Sequence, residues 1–122
     1  MNTDKDYGID KLTDPRAIMV ARKIVGVLEE DLGKDFYISS VNAPLFREGA
    51  EEGLGGPNAL FRIDHEEGAH KCHFDMDACY NDRALPGTTN CYEPFEKMMK
   101  ALEGTGFYIE AYSTWLSHVY EV

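Results

Sequence analysis

The chain has 122 residues, 43% of them hydrophobic, which is enough for one domain with a buried core and too apolar for intrinsic disorder. Its 12 basic and 22 acidic residues give a formal net charge of -10, spread along the chain rather than gathered in a tail. Binding nucleic acid or an anionic membrane rests on Lys and Arg meeting phosphate, so a field of this sign argues against both and favours a basic protein surface.

No apolar run approaches bilayer-spanning length, and the opening residues MNTDKDYGID have neither the basic nor the apolar part of a signal peptide. Cys72, Cys79 and Cys91 are odd in number and form no C-x-x-C pair, which predicts reduced thiols in a cytoplasmic protein. Residues 1–12 are polar and read as a loose N-terminal arm, although Tyr7, Ile9 and Leu12 offer apolar contacts; residues 13–122 read as a single α+β domain.

A helix is predicted from Asp14, as N-cap, and Pro15, in the first helical position, to Leu32. Ala17, Ala21, Ile24, Val25, Leu28 and Leu32 give it an apolar stripe. Gly33 stands at the left-handed C-terminal position, and Gly26 predicts close packing on a sheet. Residues 35–42, DFYISSVN, are β-prone and read as a first strand. Residues 43–57, with Gly49, Gly53, Gly55 and Gly56, read as a mobile surface loop, with a recognition loop as the alternative. No Gly-Lys-Ser/Thr follows, and Glu48, Glu51 and Glu52 would repel phosphate, so this is no phosphate loop.

The stretch from Asn58 to Asp82 alternates with a period of two. Phe61 and Ile63 share one parity with Cys72, Phe74, Met76 and Ala78 after the turn; Arg62 and Asp64 share the other with Lys71, His73, Asp75 and Asp77. This predicts a β-hairpin. A Glu67-Gly68 turn sets Phe61 opposite Phe74 and Arg62 opposite His73, while a slip of two sets Arg62 opposite Asp75. A second helix begins at Asn90 or Pro94, with Phe95, Met98, Met99 and Leu102 as its stripe and Gly104 as its end. Phe107 to Tyr112 reads as a strand, and Trp115 to Val122 as its continuation or a further strand. The order is α-β-β-β-α-β(-β), an antiparallel sheet of four to five strands with two helices on one face and the other face wet. The α-β-β-β-α portion resembles the double-stranded-RNA-binding domain in topology. Cys91, Tyr92, Glu93 and Pro94 stand where such a domain places basic residues, so its function does not carry over.

Two constellations have metal-ligand chemistry. His73-x-Asp75 with a distant His118 resembles the H-x-D…H arrangement of facial-triad oxygenases, which are many-stranded jelly rolls. His65, His70 and Cys72 gather at the turn end of the hairpin and are zinc-type ligands, in a spacing that matches no zinc motif. Cross-strand charge pairs and small core residues explain the same letters, so no cofactor is expected. No nucleophile elbow, H-E-x-x-H or Walker sequence is present.

The expected function is therefore non-enzymatic: an acidic protein that binds and blocks a basic surface, possible targets being a nuclease or another nucleic-acid-binding protein. In size and charge it resembles anti-CRISPR, anti-restriction and toxin-immunity proteins. Asp64, Glu66, Glu67, Asp75 and Asp77 would mimic phosphates, and Tyr108, Glu110 and Tyr112 would offer aromatic faces to arginine. A metal-dependent enzyme and an oligomer-forming subunit are the alternatives. The binding reading needs the second sheet face to be open.

Overall fold

The computed structural model describes residues 3–34, 36, 44–49, 53, 55–65, 73–74, 93–113 and 116–122. The fold is α+β. Helices α1 (Asp4–Tyr7), α2 (Pro15–Leu32) and α3 (Glu93–Ala101) accompany strands β1 (Phe46–Arg47), β2 (Phe61–Asp64), β3 (Phe107–Ala111) and β4 (Leu116–Glu121). The strands form one antiparallel sheet in the order β1-β2-β4-β3.

Helix α2 starts where its sequence directs. The Asp14 carboxylate accepts from the Arg16 amide at 2.9 Å, and Pro15 fills the first helical position. Its stripe of Ala17, Ala21, Ile24, Val25 and Leu28 is buried, together with Val20 and Val27. Met98 and Leu102, from α3 and the turn after it, join the same core, as do Phe46, Phe61, Ile63, Phe107, Ile109 and Val119 from the sheet. Both long helices thus cover one face. Two glycine expectations are corrected. Gly33 has positive φ but an extended ψ of 164°, so it is no left-handed cap. Gly26 is exposed, with none of the described residues within 4 Å of where a Cβ would sit, so it marks no close approach to the sheet.

The loose-arm expectation is corrected for residues 3–12. Asp6 reaches back to the Thr3 amide at 2.8 Å, Arg22 of α2 holds Asp4 at 2.8 Å, and a 3-10 turn follows at Ile9–Lys11. Tyr7, Ile9 and Leu12 are buried, and Tyr7 stacks on Phe36 with ring centroids 5.6 Å apart. Its hydroxyl donates to Glu29 of α2 at 3.3 Å. Three apolar anchors at this spacing outweigh the polar residues between them.

The loop expected over residues 43–57 is also corrected. Phe46–Arg47 is an edge strand, Leu45 and Phe46 are core residues, and Glu48 ties β1 to the start of α2. That carboxylate accepts from the Thr13 amide at 2.9 Å, the Thr13 hydroxyl at 2.8 Å and the Asp14 amide at 3.2 Å. Burial raises the Glu48 pKa; these bonds outweigh it and leave the pKa below its ordinary value.

The hairpin of β2 with residues 71–78 does not form at 61–64. Over those residues β2 is bordered by β4, with Phe61 opposite Val119 and Ile63 opposite Ser117. On its other side Phe46 stands opposite Ile63, and the Asp64 amide donates to the Leu45 carbonyl at 2.8 Å. Both edges of the strand are taken. His73 and Phe74 lie in a helical turn, and the rest of the expected second hairpin strand lies outside the described residues, as does the strand expected over 35–42 apart from Phe36.

Candidate functional site

Cross-strand register assigns every described strand residue to a face. Phe61, Ile63, Ser117, Val119, Phe107 and Ile109 face the helices; Arg62, Asp64, Leu116, His118, Tyr120, Tyr108 and Glu110 face the other way. Across the second face Arg62, His118 and Glu110 stand in one row, a cation, an imidazole and a carboxylate on three adjacent strands. Tyr108 lies opposite Tyr120, their rings 5.7 Å apart. The His118 ring meets Tyr112 edge-on at 5.7 Å and Tyr120 at 6.0 Å, so an aromatic band runs diagonally over β3 and β4.

This face is not open throughout, which corrects the expectation of a wet sheet surface. His118 is only 2% exposed and Leu116 is buried with it, although neither faces the helices. The glycine-rich segment covers His118. At Gly56, with φ +71°, an added Cβ would overlap the imidazole, and at Gly55 it would fall 2.6 Å from the Tyr112 ring. The Tyr112 hydroxyl donates to the Gly53 carbonyl at 3.1 Å, holding the segment down. Backbone alone fits in that space. Burial first, and Arg62 second, lower the His118 pKa against the pull of Glu110, so the ring is held in its neutral form. Tyr120 is raised by burial, Glu110 and Tyr108, and remains a neutral phenol.

What stays exposed is the β3 margin. Tyr108 is 41% and Tyr112 51% exposed, with Glu110 exposed between them. Asp64 is half-buried on the same face, opposite Leu116. Of the other expected contact residues, Glu66, Glu67, Asp75 and Asp77 lie outside the described residues.

Of the two metal-ligand constellations, the structure separates the members of one that it describes, His73 and His118. His73 is fully buried, and its Nε2 is 2.8 Å from Asp31 Oδ2 of α2, which places it on the helix side of the sheet. His118 is on the opposite face, so the two cannot share an ion with Asp75, itself outside the described residues. His65 likewise points to the helix side. Its Nε2 is 2.8 Å from Ser117 Oγ and its ring stacks on Phe74 at 5.1 Å. His70 and Cys72 lie outside the described residues, and no cluster of three or more His, Cys, Asp or Glu able to hold a metal occurs among the described ones.

Sequence reasoning missed the Asp31 carboxylate. It sits between His73 and Lys97, whose ammonium lies 2.5 Å away. Burial raises its pKa, and the bonds from Lys97 and His73 more than reverse this, so it is held below its ordinary value. An acidic residue on the last turn of a helix, where the dipole is unfavourable, is the one signal that it needed a cationic neighbour. The bonds of Lys97 to Asp31 and Glu30 fasten α3 to α2. No described helix is long and apolar enough to cross a membrane. In comparison with known proteins, no family model, no curated protein and no solved structure matches this chain.

Proposed function

We propose that the protein is a non-enzymatic binding protein that engages a basic protein surface through the β3 margin of its sheet, and so blocks that surface. The observation that carries the reading is the side-by-side exposure of Tyr108, Glu110 and Tyr112 in a chain of net charge -10. Two phenol rings flanking a carboxylate suit a guanidinium, which stacks on one and pairs with the other. Their neighbours Tyr120 and His118 are neutral, so Glu110 supplies the charge at the centre while the overall field steers a basic partner in. Coverage of His118 by the glycine-rich segment narrows the interface from the whole face to this margin. A nucleic-acid-binding protein, whose own groove is cationic, is the kind of partner this chemistry fits.

Titration with oligoarginine and oligolysine, followed by amide chemical shifts, tests the reading. Shifts should centre on Tyr108, Glu110 and Tyr112, oligoarginine should bind more tightly, and affinity should fall with salt. Glu110→Lys should weaken binding and flatten the salt dependence. Shifts spread evenly over the acidic surface, or unchanged in Glu110→Lys, would overturn it.

A further inference from the structure

We propose that the outer edge of β3 accepts a strand from the basic partner, an extended segment in which apolar residues alternate with arginine. This rests on the binding reading above and adds the backbone to it. The hydrogen bonds that close β3 onto β4 fix which of its peptide groups are spent. The Val122 amide donates to the Gly106 carbonyl and the Tyr112 amide to the Leu116 carbonyl. In an antiparallel ladder the bonded positions alternate, so Tyr108 and Glu110 bond inward with Tyr120 and His118. The N–H and C=O groups of Phe107, Ile109 and Ala111 therefore point away from the sheet; those of Phe107 already meet the Thr105 hydroxyl, at 3.2 Å from the N–H and 3.4 Å from the C=O, which leaves Ile109 and Ala111 to offer theirs. Strand β3 is the end of the sheet order, and among the described residues no further strand pairs with that edge.

Most natural edges are protected by a lysine, a proline, a bulge or extreme shortness. This one is five residues, FYIEA, with no lysine, proline or bulge; its one charge is the acidic Glu110. Beside it, on the helix side, opens a groove of about 250 Å³ whose apolar walls are Met99, Leu102, Phe107 and Ile109, with Glu103 at its lip. A strand laid along β3 would place every second side chain over this groove and the others beside Tyr108, Glu110 and Tyr112. The two sides of the edge thus ask for different residues: apolar on one, cationic and planar on the other. Charge decides the occupant. A second copy would bring another net charge of -10 and a second Glu110 to the same edge, whereas an arginine-bearing strand neutralises both.

The test uses the full chain and three peptides: one alternating valine and arginine, one of the same composition with the alternation scrambled, and one alternating but N-methylated at every second amide. The alternating peptide should bind about tenfold more tightly than either control. It should slow hydrogen exchange at the Ile109 and Ala111 amides while leaving β2 unchanged. Ala111→Pro, which removes an outward donor from an exposed position where proline is tolerated, should weaken that peptide with the melting temperature held. Equal binding of all three peptides, with shifts at Tyr108 and Glu110 but no new amide protection, would overturn strand addition and leave the tyrosine–carboxylate patch standing. No shifts at the β3 margin with any peptide would overturn both readings. Protection of the same amides by raised protein concentration alone would assign the edge to a second copy and overturn the basic occupant.

Discussion

Gly56 packs against the imidazole of His118, so close that any side chain at residue 56 would overlap the ring. A buried histidine on the face away from the helices is thereby roofed by backbone, and the centre of that face is removed from any interface. The partner-facing surface is displaced to the β3 margin, where Tyr112 both anchors the roof through Gly53 and presents half of its ring to solvent.

Gly56→Ala is expected to destabilise the fold by about 2–5 kcal/mol, the sum of a left-handed backbone position and an overpacked contact. In a His118→Ala background the overlap is gone, and the same change should cost only about 1–2 kcal/mol, the backbone part. Urea unfolding of the four proteins closes the cycle. An equal cost in both backgrounds would show that the glycine is required for its φ angle alone.

The pH dependence of stability follows from the same contact. Burial, then Arg62, lower the His118 pKa below its ordinary value of 6.5. Between the two values the unfolded chain holds a proton that the folded one does not, so stability rises with pH. The contribution is complete above about pH 6.5 and is lost as pH falls toward the lowered value. Wild type should lose stability from pH 7.5 to pH 5, and His118→Gln should lose less over that interval. Identical slopes in the two proteins would mean that the ring titrates as freely folded as unfolded.

Which parts of the fold could be read from sequence depends on how local their causes are. Asp14, Pro15 and the stripe from Ala17 to Leu28 lie within one helix, and the expected and observed helices coincide. Strands β3 and β4 are neighbours in sequence as well as in the sheet, and their alternation placed Tyr108, Glu110 and Tyr112 on the face away from the helices. The partner of β2 was not legible. A period of two reports a half-buried strand but not what lies beside it, and the actual neighbours come from residues 46–47 and 116–119. Parity also misplaced His73. His73 and Phe74 lie in a helical turn, where a period of two does not apply, and both are buried. The glycines of the roof looked mobile because missing side chains suggest freedom, whereas here their absence is what allows contact with His118 and Tyr112.

Asp31 and Lys97 should differ sharply when truncated. Asp31→Ala removes the acceptor at His73 Nε2 and leaves a buried polar ring to find another, at a cost of about 1–3 kcal/mol. Lys97 is more than a third exposed, so Lys97→Met should cost less than about 1 kcal/mol. The carboxylate's lowered pKa adds a sign: its contribution is present above the ordinary range near 3.8 and lost as pH falls through the lowered value. Chemical denaturation at pH 7 and again at pH 3 reads both effects. Equal costs for the two variants would mean that the Lys97 bond, not the His73 bond, carries what Asp31 contributes to stability.

Tyr7 tests whether the N-terminal segment is part of the domain or lies loosely on it. Its ring is buried to 2% exposure, stacked on Phe36, and its hydroxyl reaches Glu29 at 3.3 Å. The apolar and polar parts of this contact separate by substitution. Tyr7→Phe keeps the ring and gives up one long hydrogen bond, and should cost about 0.5 kcal/mol. Tyr7→Ala opens a cavity between α1 and α2 and should cost about 3–4 kcal/mol, the range of a buried aromatic in a core. An arm that merely rests on the surface would lose less than about 0.5 kcal/mol in either case, as surface substitutions do. Denaturant midpoints of the two variants therefore decide the matter, and the ratio of their costs locates the stabilisation in ring burial rather than in the bond to Glu29.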